Sequence, residues 1–151
     1  MKQILVIGGA GYIGSHMVSL LLAQGCRVVV YDNLSTGHPW ALDKQCLFVK
    51  GDLADKTALQ HLFQAHSFDA VMHFASFIEV GESVKNPRKY YQNNLVNTIN
   101  LLDTLLDFNV HAFIFSSTAA IFGNPHYTPI DEQHPTQPLN AYGRSKLMVE
   151  N

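Results

Sequence analysis

The sequence predicts an α/β fold in which a doubly wound parallel sheet is flanked by helices. Short apolar runs rich in Val and Ile alternate with longer segments of helical period, the pattern of parallel strands joined by helical crossovers. A glycine-rich turn, GGAGYIG at residues 8–14, follows the first apolar run and opens the first helical segment. The chain has 151 residues, 47% hydrophobic and 15% charged, so it can bury one core, and a single domain over residues 1–151 is expected.

Five strands are expected, because each is a nearly continuous apolar run, as in strands buried on both faces. They cover residues 3–7, 27–31, 47–49, 70–73 and 112–116. A Rossmann-like sheet commonly has six strands, so this one is expected to be incomplete at its C-terminus. Residues 123–138 contain four of the six prolines and are expected to form a loop suited to substrate contacts.

Helical periodicity covers four segments. The first spans residues 12–24 and ends at Gly25, and the second spans 56–65, with Asp55 placed to cap it. A third runs from about 88 to 108, after the break at Asn86-Pro87. The last starts near 139–142 and is still running at Asn151. We therefore expect the chain to be the N-terminal portion of a longer protein.

The glycine turn is the first motif that carries chemistry. Glycines at positions 8, 11 and 14 permit a tight strand-to-helix turn, close approach of backbone to a pyrophosphate, and tight packing of the helix on the strand. The alternative is a glycine-rich turn without a ligand. Because the motif follows a predicted strand and opens a predicted helix, it favours dinucleotide binding.

Two acidic residues at strand ends are candidate contacts to an adenosine group. Asp32 ends the second strand, where a carboxylate accepts hydrogen bonds from ribose hydroxyls and repels a 2′-phosphate, so it favours NAD over NADP. Asp52 could accept a hydrogen bond from the adenine amino group. Ordinary turn chemistry is the alternative at both positions.

A tyrosine and a lysine four residues apart, Tyr142 and Lys146, are expected on one face of the last helix. A phenol is a weak base at neutral pH unless a neighbouring cation stabilises its phenolate, so this pair suits general base catalysis. In isolation the same spacing equally suits a surface pair. The preceding strand ends in Ser116-Ser117-Thr118, and the Thr118 hydroxyl can contact a substrate oxygen or simply cap the strand end.

Together these motifs resemble the extended short-chain dehydrogenase/reductase family. Further segments resemble its UDP-glucose 4-epimerase branch, and the resemblance spans essentially the whole chain. These segments are DNLSTG at 32–37, HFA at 73–75, VGES at 80–83, YYQNN at 90–94 and YGRSKLMVE at 142–150.

The resemblance implies an NAD-dependent nucleotide-sugar 4-epimerase that interconverts UDP-galactose and UDP-glucose. Tyr142 would take the proton of the sugar 4-hydroxyl while hydride leaves C4 for NAD, and the 4-keto sugar would rotate before hydride returns. Lys146 would hold the nicotinamide ribose and keep the tyrosine ionised, and Thr118 would assist Tyr142. The implied cofactor contacts are Gly8, Gly11, Tyr12, Ile13, Gly14, Asp32, Asn33, Ser35, Thr36, Gly37, Asp52, Leu53, Phe74, Ala75, Ser76, Asn93, Ser116, Tyr142 and Lys146.

Several positions bear on how closely the chain follows the pattern of the family. Ile78 and Glu79 stand where some epimerases carry a lysine that reaches the cofactor phosphates, so the pyrophosphate would be held differently. Phe122 stands where tyrosine is common before glycine. Ala119 follows Thr118, whereas related 4,6-dehydratases tend to have an acid there, which disfavours dehydration. The family's substrate domain lies outside this sequence, so the chain alone is expected not to turn over.

Composition argues against several other classes. The net charge of −2, with scattered Lys and Arg, gives no attraction for nucleic acid or anionic lipid, and no apolar stretch is long enough to span a bilayer. The eight histidines lack metal-binding spacing; His61 and His66, for example, are five residues apart. Two cysteines and the absence of a signal-peptide pattern predict a cytoplasmic protein.

Two alternatives stay open. The chain could be a non-catalytic NAD-binding module, or part of another NAD-dependent nucleotide-sugar epimerase or dehydratase. The third helix could form a homodimer face or pack on the sheet through its leucines, which are Leu101, Leu102, Leu105 and Leu106.

Overall fold

The computed structural model describes all 151 residues and contains one sheet of five parallel strands. The strands are β1 (Gln3–Ile7), β2 (Arg27–Asp32), β3 (Leu47–Lys50), β4 (Ala70–His73) and β5 (Phe113–Phe115). Their order is β3-β2-β1-β4-β5, so the topological switch point lies between β1 and β4. The predicted parallel α/β fold is confirmed, and each predicted strand agrees with the structure to within one residue at either end.

Six α-helices connect or follow the strands: α1 (Tyr12–Ala23), α2 (Lys56–Ala65), α3 (Val80–Lys85), α4 (Pro87–Tyr90), α5 (Asn97–Asp107) and α6 (Ala141–Glu150). The predicted cap of α2 is confirmed, because the Asp55 carboxylate accepts a hydrogen bond from Ala58 N–H at 2.9 Å. The helix expected over residues 88–108 is helical throughout, but a π-helical stretch, Tyr91–Val96, joins α4 to α5. Helix α3 was not predicted, since six residues are too few to show a helical period.

Two short 3₁₀ turns lie at Pro39–Ala41 and Ala119–Ile121. Residues 123–138 contain neither helix nor strand, as predicted. No helix of the protein combines the length and the apolar character needed to cross a membrane.

The chain divides into two compact units. The first unit consists of Met1–Ala75 and Asn100–Ser116 and contains the whole sheet. The second consists of Ser76–Ile99 and Ser117–Asn151 and contains α3, α4 and α6. A single domain over residues 1–151 stays a prediction.

Alternate residues of the central strands pack on opposite faces of the first unit's sheet. On one face Leu5 and Ile7 of β1 join a cluster with side chains of α2 and α5, and on the other Ile4 and Val6 pack with Val18 of α1. Leu101 and Leu105 of α5 belong to the first cluster, so these two leucines pack on the sheet.

Candidate functional site

The glycine turn between β1 and α1 is a backbone cradle with no room for side chains. Gly8 has a φ of +78°, and a Cβ there would lie 2.5 to 2.9 Å from the backbone of Phe74 and Ala75, which follow β4. A Cβ at Gly14 would collide with the carbonyl oxygen of Gly8. Side chains at these positions would therefore push α1 off the strand ends, as the sequence predicts for a dinucleotide-binding turn.

Helix α1 begins without a side-chain cap. Its N-cap residue, Gly11, has no side chain that could accept a hydrogen bond, and its first turn contains no acidic residue. The first N–H groups of a helix lack intrahelical acceptors and carry partial positive charge. Tyr12 and Ile13 in this turn are 83% and 57% exposed, so the turn is accessible. These features fit a pyrophosphate bound at the start of α1.

Asp32 at the end of β2 links the glycine turn to the following loop. Its carboxylate accepts hydrogen bonds from the N–H groups of Ala10 at 2.9 Å and Leu34 at 2.8 Å, and the residue is only 8% exposed. Leu34 has a φ of +62°, an uncommon conformation for a side chain of this kind, which the Asp32 contact helps to hold. A carboxylate has about four acceptor positions, so Asp32 retains capacity for ribose hydroxyls, and that role stays a prediction.

A second polar network connects the loops that follow β2 and β3. Asn33 donates from Nδ2 to the Asp52 carboxylate at 2.7 Å and accepts from Ser35 N–H, while Asp52 also accepts from Ala54 N–H. The buried Tyr31 hydroxyl donates to the Asp52 carbonyl oxygen at 3.1 Å. Burial raises the pKa of Tyr31 to about 12. The Asp52 carboxylate thus has two structural partners, Asn33 and Ala54, in addition to its predicted adenine contact.

A cavity of about 630 Å³ opens beside the glycine turn in the first unit. Among its lining residues are Gly11 and Tyr12 on one side and Thr36 and Trp40 on the other. Gly11, Tyr12 and Thr36 are predicted cofactor contacts, whereas Asp32 and most of the others are not among its lining residues. The cavity is therefore lined by three of the predicted cofactor contacts. Trp40, which sequence reasoning did not single out, is 82% exposed there.

The other predicted cofactor residues of the first unit lie at the carboxyl ends of the strands and in their loops. Phe74 N–H donates to the Ile7 carbonyl at 2.8 Å, and Ser116 N–H donates to the His73 carbonyl at 3.1 Å, so both chain segments continue the sheet edge. Gly37 is buried, and a Cβ there would lie 2.8 Å from the Cβ of Ala10. Leu53 is buried in the core.

The second unit contains Tyr142 and Lys146, one helical turn apart on α6. Tyr142 is half-buried, while Lys146 is buried with 3% of its surface exposed. Burial lowers the pKa of Lys146 to about 8, and the Glu150 carboxylate opposes that shift. The structure thus places the predicted base and its cation on neighbouring positions of one helix face.

Asn94 in the π-helical stretch holds α6 in place. Its amide exchanges two hydrogen bonds with the backbone of Phe77, at 2.9 and 3.0 Å, and donates to Ser145 Oγ at 3.2 Å. Ser145 Oγ in turn donates to the Tyr142 carbonyl at 2.8 Å. Both Asn94 and Ser145 are buried. No local pattern predicts this contact, because the two residues are 51 positions apart.

Thr118 begins the 3₁₀ turn before the loop, and its Oγ1 accepts from Ala120 N–H at 3.2 Å. The cap suggested for this hydroxyl is therefore present, and its predicted catalytic role stays a prediction. Two further predicted residues lie in this unit: Ser76, whose Oγ donates to the Phe77 carbonyl, and Asn93, whose Nδ2 donates to Asn94 Oδ1.

The loop over residues 123–138 is organised by a buried histidine that sequence reasoning did not single out. His134 is 3% exposed, and its Nε2 accepts a hydrogen bond from His126 N–H at 3.0 Å. Its Nδ1 lies 2.9 Å from the Pro135 carbonyl oxygen, which makes Nδ1 the protonated nitrogen. The rings of Phe122 and Tyr127 pack against it, so the loop has a small core of its own.

Comparison with known proteins gives one family over nearly the whole chain. The model of the NAD dependent epimerase/dehydratase family matches residues 4–151. The UDP-glucose 4-epimerase of Halalkalibacterium halodurans is 51% identical over 147 residues, which make up 97% of this chain and 44% of that protein. The mouse UDP-glucose 4-epimerase is 45% identical over 164 aligned residues, covering 99% of this chain and 47% of its own length.

Solved structures agree with these relatives. UDP-glucose 4-epimerase from Brucella ovis in complex with NAD is 46% identical, with a TM-score of 0.96 over 99% of this chain and 46% of its own. The Bifidobacterium longum enzyme in complex with NAD⁺ and UDP is 39% identical, with a TM-score of 0.96 over 99% of this chain and 47% of its own. The chain therefore spans less than half the length of each of these relatives.

Proposed function

The chain belongs to the NAD-dependent epimerase/dehydratase family, and on that premise we propose that it binds NAD and carries the catalytic residues of a UDP-glucose 4-epimerase. The observation that carries the proposal is the buried ammonium of Lys146, one helical turn after Tyr142. A cation held there favours the phenolate that a general base requires.

The residues fit NAD in the first unit. The glycine cradle admits a pyrophosphate against backbone, and the uncapped start of α1 supplies N–H donors for it. Asp32 supplies a carboxylate for ribose hydroxyls and repels a 2′-phosphate. Ile78 has an apolar side chain that cannot donate to a phosphate, so the proposed pyrophosphate donors are the backbone N–H groups of α1.

In the proposed reaction Tyr142 removes the proton of the sugar 4-hydroxyl and later returns it. Lys146 would hold the nicotinamide ribose and supplies a cation one helical turn from the phenol, and the Thr118 hydroxyl would hydrogen-bond the sugar oxygen. NAD, when bound, supplies the hydride acceptor and donor for C4. Ala119, directly after Thr118, has no acidic group, so dehydration lacks an acid at this position.

The proposed substrates are UDP-galactose and UDP-glucose. The relatives named above are UDP-glucose 4-epimerases, and one solved relative is a complex with UDP-glucose from Thermotoga maritima. The test is epimerisation of UDP-galactose by the protein in its full natural length, with UDP-glucose measured through a coupled dehydrogenase. We expect turnover that Tyr142→Phe lowers by about 10² to 10⁴-fold. A product lighter by one water would instead identify a dehydratase.

Cofactor binding is tested separately by titration with NAD⁺ and NADP⁺. Trp40 is the single tryptophan of the chain and lines the cavity beside the glycine turn, so its fluorescence reports binding there. We expect saturable binding of NAD⁺ and weaker binding of NADP⁺. Asp32→Asn should weaken NAD⁺ binding by about 10- to 100-fold, because a charged acceptor is lost.

Asp69→Asn is the matched control. Its carboxylate also accepts a backbone N–H, from Gln3 at 2.7 Å, but at the opposite end of β1. Both substitutions remove a carboxylate that holds backbone, and only Asp32 lies at the predicted site. Equal loss of NAD⁺ affinity in the two variants would mean that Asp32 acts through folding alone.

We also propose that the full-length protein forms a homodimer through the outer side of the third helical segment. Val96 and Ile99 in the second unit are 40% and 44% exposed, and exposed apolar side chains on a helical segment favour a partner. Sedimentation of the protein and of an Ile99→Glu variant tests this. A monomeric wild-type protein would contradict it.

A further inference from the structure

Helix α6 packs against the 3₁₀ turn at Ala119–Ile121 at a glycine, where no side chain separates the two backbones. Gly143 is buried, and a Cβ at this position would lie 2.6 Å from the carbonyl oxygen of Ala120 and 3.1 Å from the Cβ of Pro138. The φ of Gly143 is not positive, so conformation alone would allow other residues here. Glycine is needed at this point for space.

The obstacle to a side chain at Gly143 is a peptide carbonyl, which cannot rotate away as a long side chain can. Ordinary carbon–oxygen contact begins near 3.4 Å, so a methyl group would have to push the turn and the helix apart by about 0.8 Å. The Cβ of Pro138, 3.1 Å from the same position, is a second close contact. The separation of turn and helix is therefore set at Gly143.

Both sides of this contact lead directly to proposed catalytic groups. Ala120 N–H donates to Thr118 Oγ1, so a movement of Ala120 is passed to the Thr118 hydroxyl. On α6, Gly143 directly follows Tyr142, and Gly143 N–H donates to Asn140 Oδ1 at 2.8 Å, which fixes the start of the helix.

We propose that Gly143 is a positioning residue that sets the separation of the Thr118 hydroxyl from the Tyr142 phenol. This inference rests on the proposed function, because it assumes that both groups act on one sugar oxygen. A misplacement of about 1 Å between reacting groups can cost about 10²-fold in rate without weakening binding. Gly143 therefore contributes to turnover through geometry, without touching the substrate.

The test compares Gly143→Ala with Gly81→Ala in the protein of full natural length. Gly81 lies in α3, in the same unit, and a Cβ there meets nothing within 4 Å, so it controls for adding a methyl group to a helix. In G143A we expect kcat to fall about 10- to 100-fold. KM for UDP-galactose should stay within about threefold and the NAD⁺ Kd within about twofold, with far-UV circular dichroism unchanged. G81A should match the wild type.

A second variant covers loss of folding in G143A. Ala120→Gly loosens the same turn without adding bulk, and it should lower kcat several-fold with KM unchanged. The inference is overturned if folded G143A keeps the wild-type kcat, if its loss appears in KM or NAD⁺ affinity instead, or if G143A is unfolded and A120G retains full kcat. An inactive wild-type protein would overturn the proposed function together with this inference, whereas an active wild type with an equally active G143A overturns the inference alone.

Discussion

Replacing Lys146 by methionine is expected to stabilise the protein while abolishing turnover. Burial lowers the pKa of Lys146 from 10.5 to about 8. One pKa unit corresponds to about 1.4 kcal/mol, so the charged lysine costs about 3 kcal/mol of folding free energy at neutral pH. Methionine has a similar length and no charge, and it can fill the same buried space.

The cost of burying the Lys146 charge depends on pH. Below pH 8 the lysine is charged in both folded and unfolded chains, so the cost is fully present. Between pH 8 and 10.5 the folded protein releases its proton first, and the cost disappears as pH rises. Lys146→Met should therefore be more stable than the wild type by about 3 kcal/mol at pH 7 and by little at pH 10.5.

Urea unfolding followed by circular dichroism at pH 7, 8, 9 and 10 measures this difference. Lys56→Met is the matched control, since the Lys56 side chain is 61% exposed and its nearest carboxylate, Asp103, is 4.0 Å away. We expect no pH-dependent gain for the control. A Lys146→Met protein that is less stable than wild type at pH 7, or whose gain does not change with pH, would refute the reasoning that the site holds a costly buried cation.

Two further predictions concern a glycine that has no room for a side chain and two buried tyrosines. Gly14→Ala should lower stability by about 1 to 3 kcal/mol and weaken NAD⁺ binding more than tenfold, because its methyl group collides with the Gly8 carbonyl. Gly81→Ala, the control, should change neither property. Equal midpoints of urea unfolding for the two variants would contradict this prediction. Burial raises the pKa of Tyr31 and Tyr90 to about 12, so the stability they contribute is present below pH 10 and lost as pH rises through 12. Absorbance titration of the native protein should show two phenols that ionise near pH 12, and the absence of any phenol ionising there would contradict this.

The fold was predictable because its signals are local. A parallel strand buried on both faces is a continuous apolar run, and a glycine turn directly after such a run marks the first crossover whatever follows. The interruption of the helix over 88–108 was not predictable from its sequence. Within the π-helical stretch at Tyr91–Val96, Asn94 contacts Phe77 and Ser145, which are 17 and 51 residues away. The helical periodicity of a segment contains no information about contacts with residues that are distant in the sequence.

The candidate site was likewise predictable in part. The chemical groups were visible in the sequence, because Asp32, Tyr142 and Lys146 stand at fixed offsets from the elements that present them. The contacts that surround these groups could not be predicted from the sequence. That Asp32 already accepts two backbone N–H groups, and that Gly143 is pressed against Ala120, follow only from the packed backbone.

The burial of Lys146 also bears on the alternative of a non-catalytic NAD-binding module. A lysine at a surface position has no desolvation cost, and an i, i+4 tyrosine and lysine in isolation equally suit such a surface pair. Lys146 is instead 3% exposed, and the Glu150 carboxylate offsets only part of the cost of its burial. A module that only binds cofactor would be more stable with an apolar residue at this position. A stability cost that falls on one ionisable group, one helical turn from a phenol, is typical of a site arranged for proton transfer. The energetics of α6 therefore favour the catalytic interpretation over the binding module, and Lys146→Met separates the two, because only the catalytic interpretation requires that the more stable protein be the inactive one.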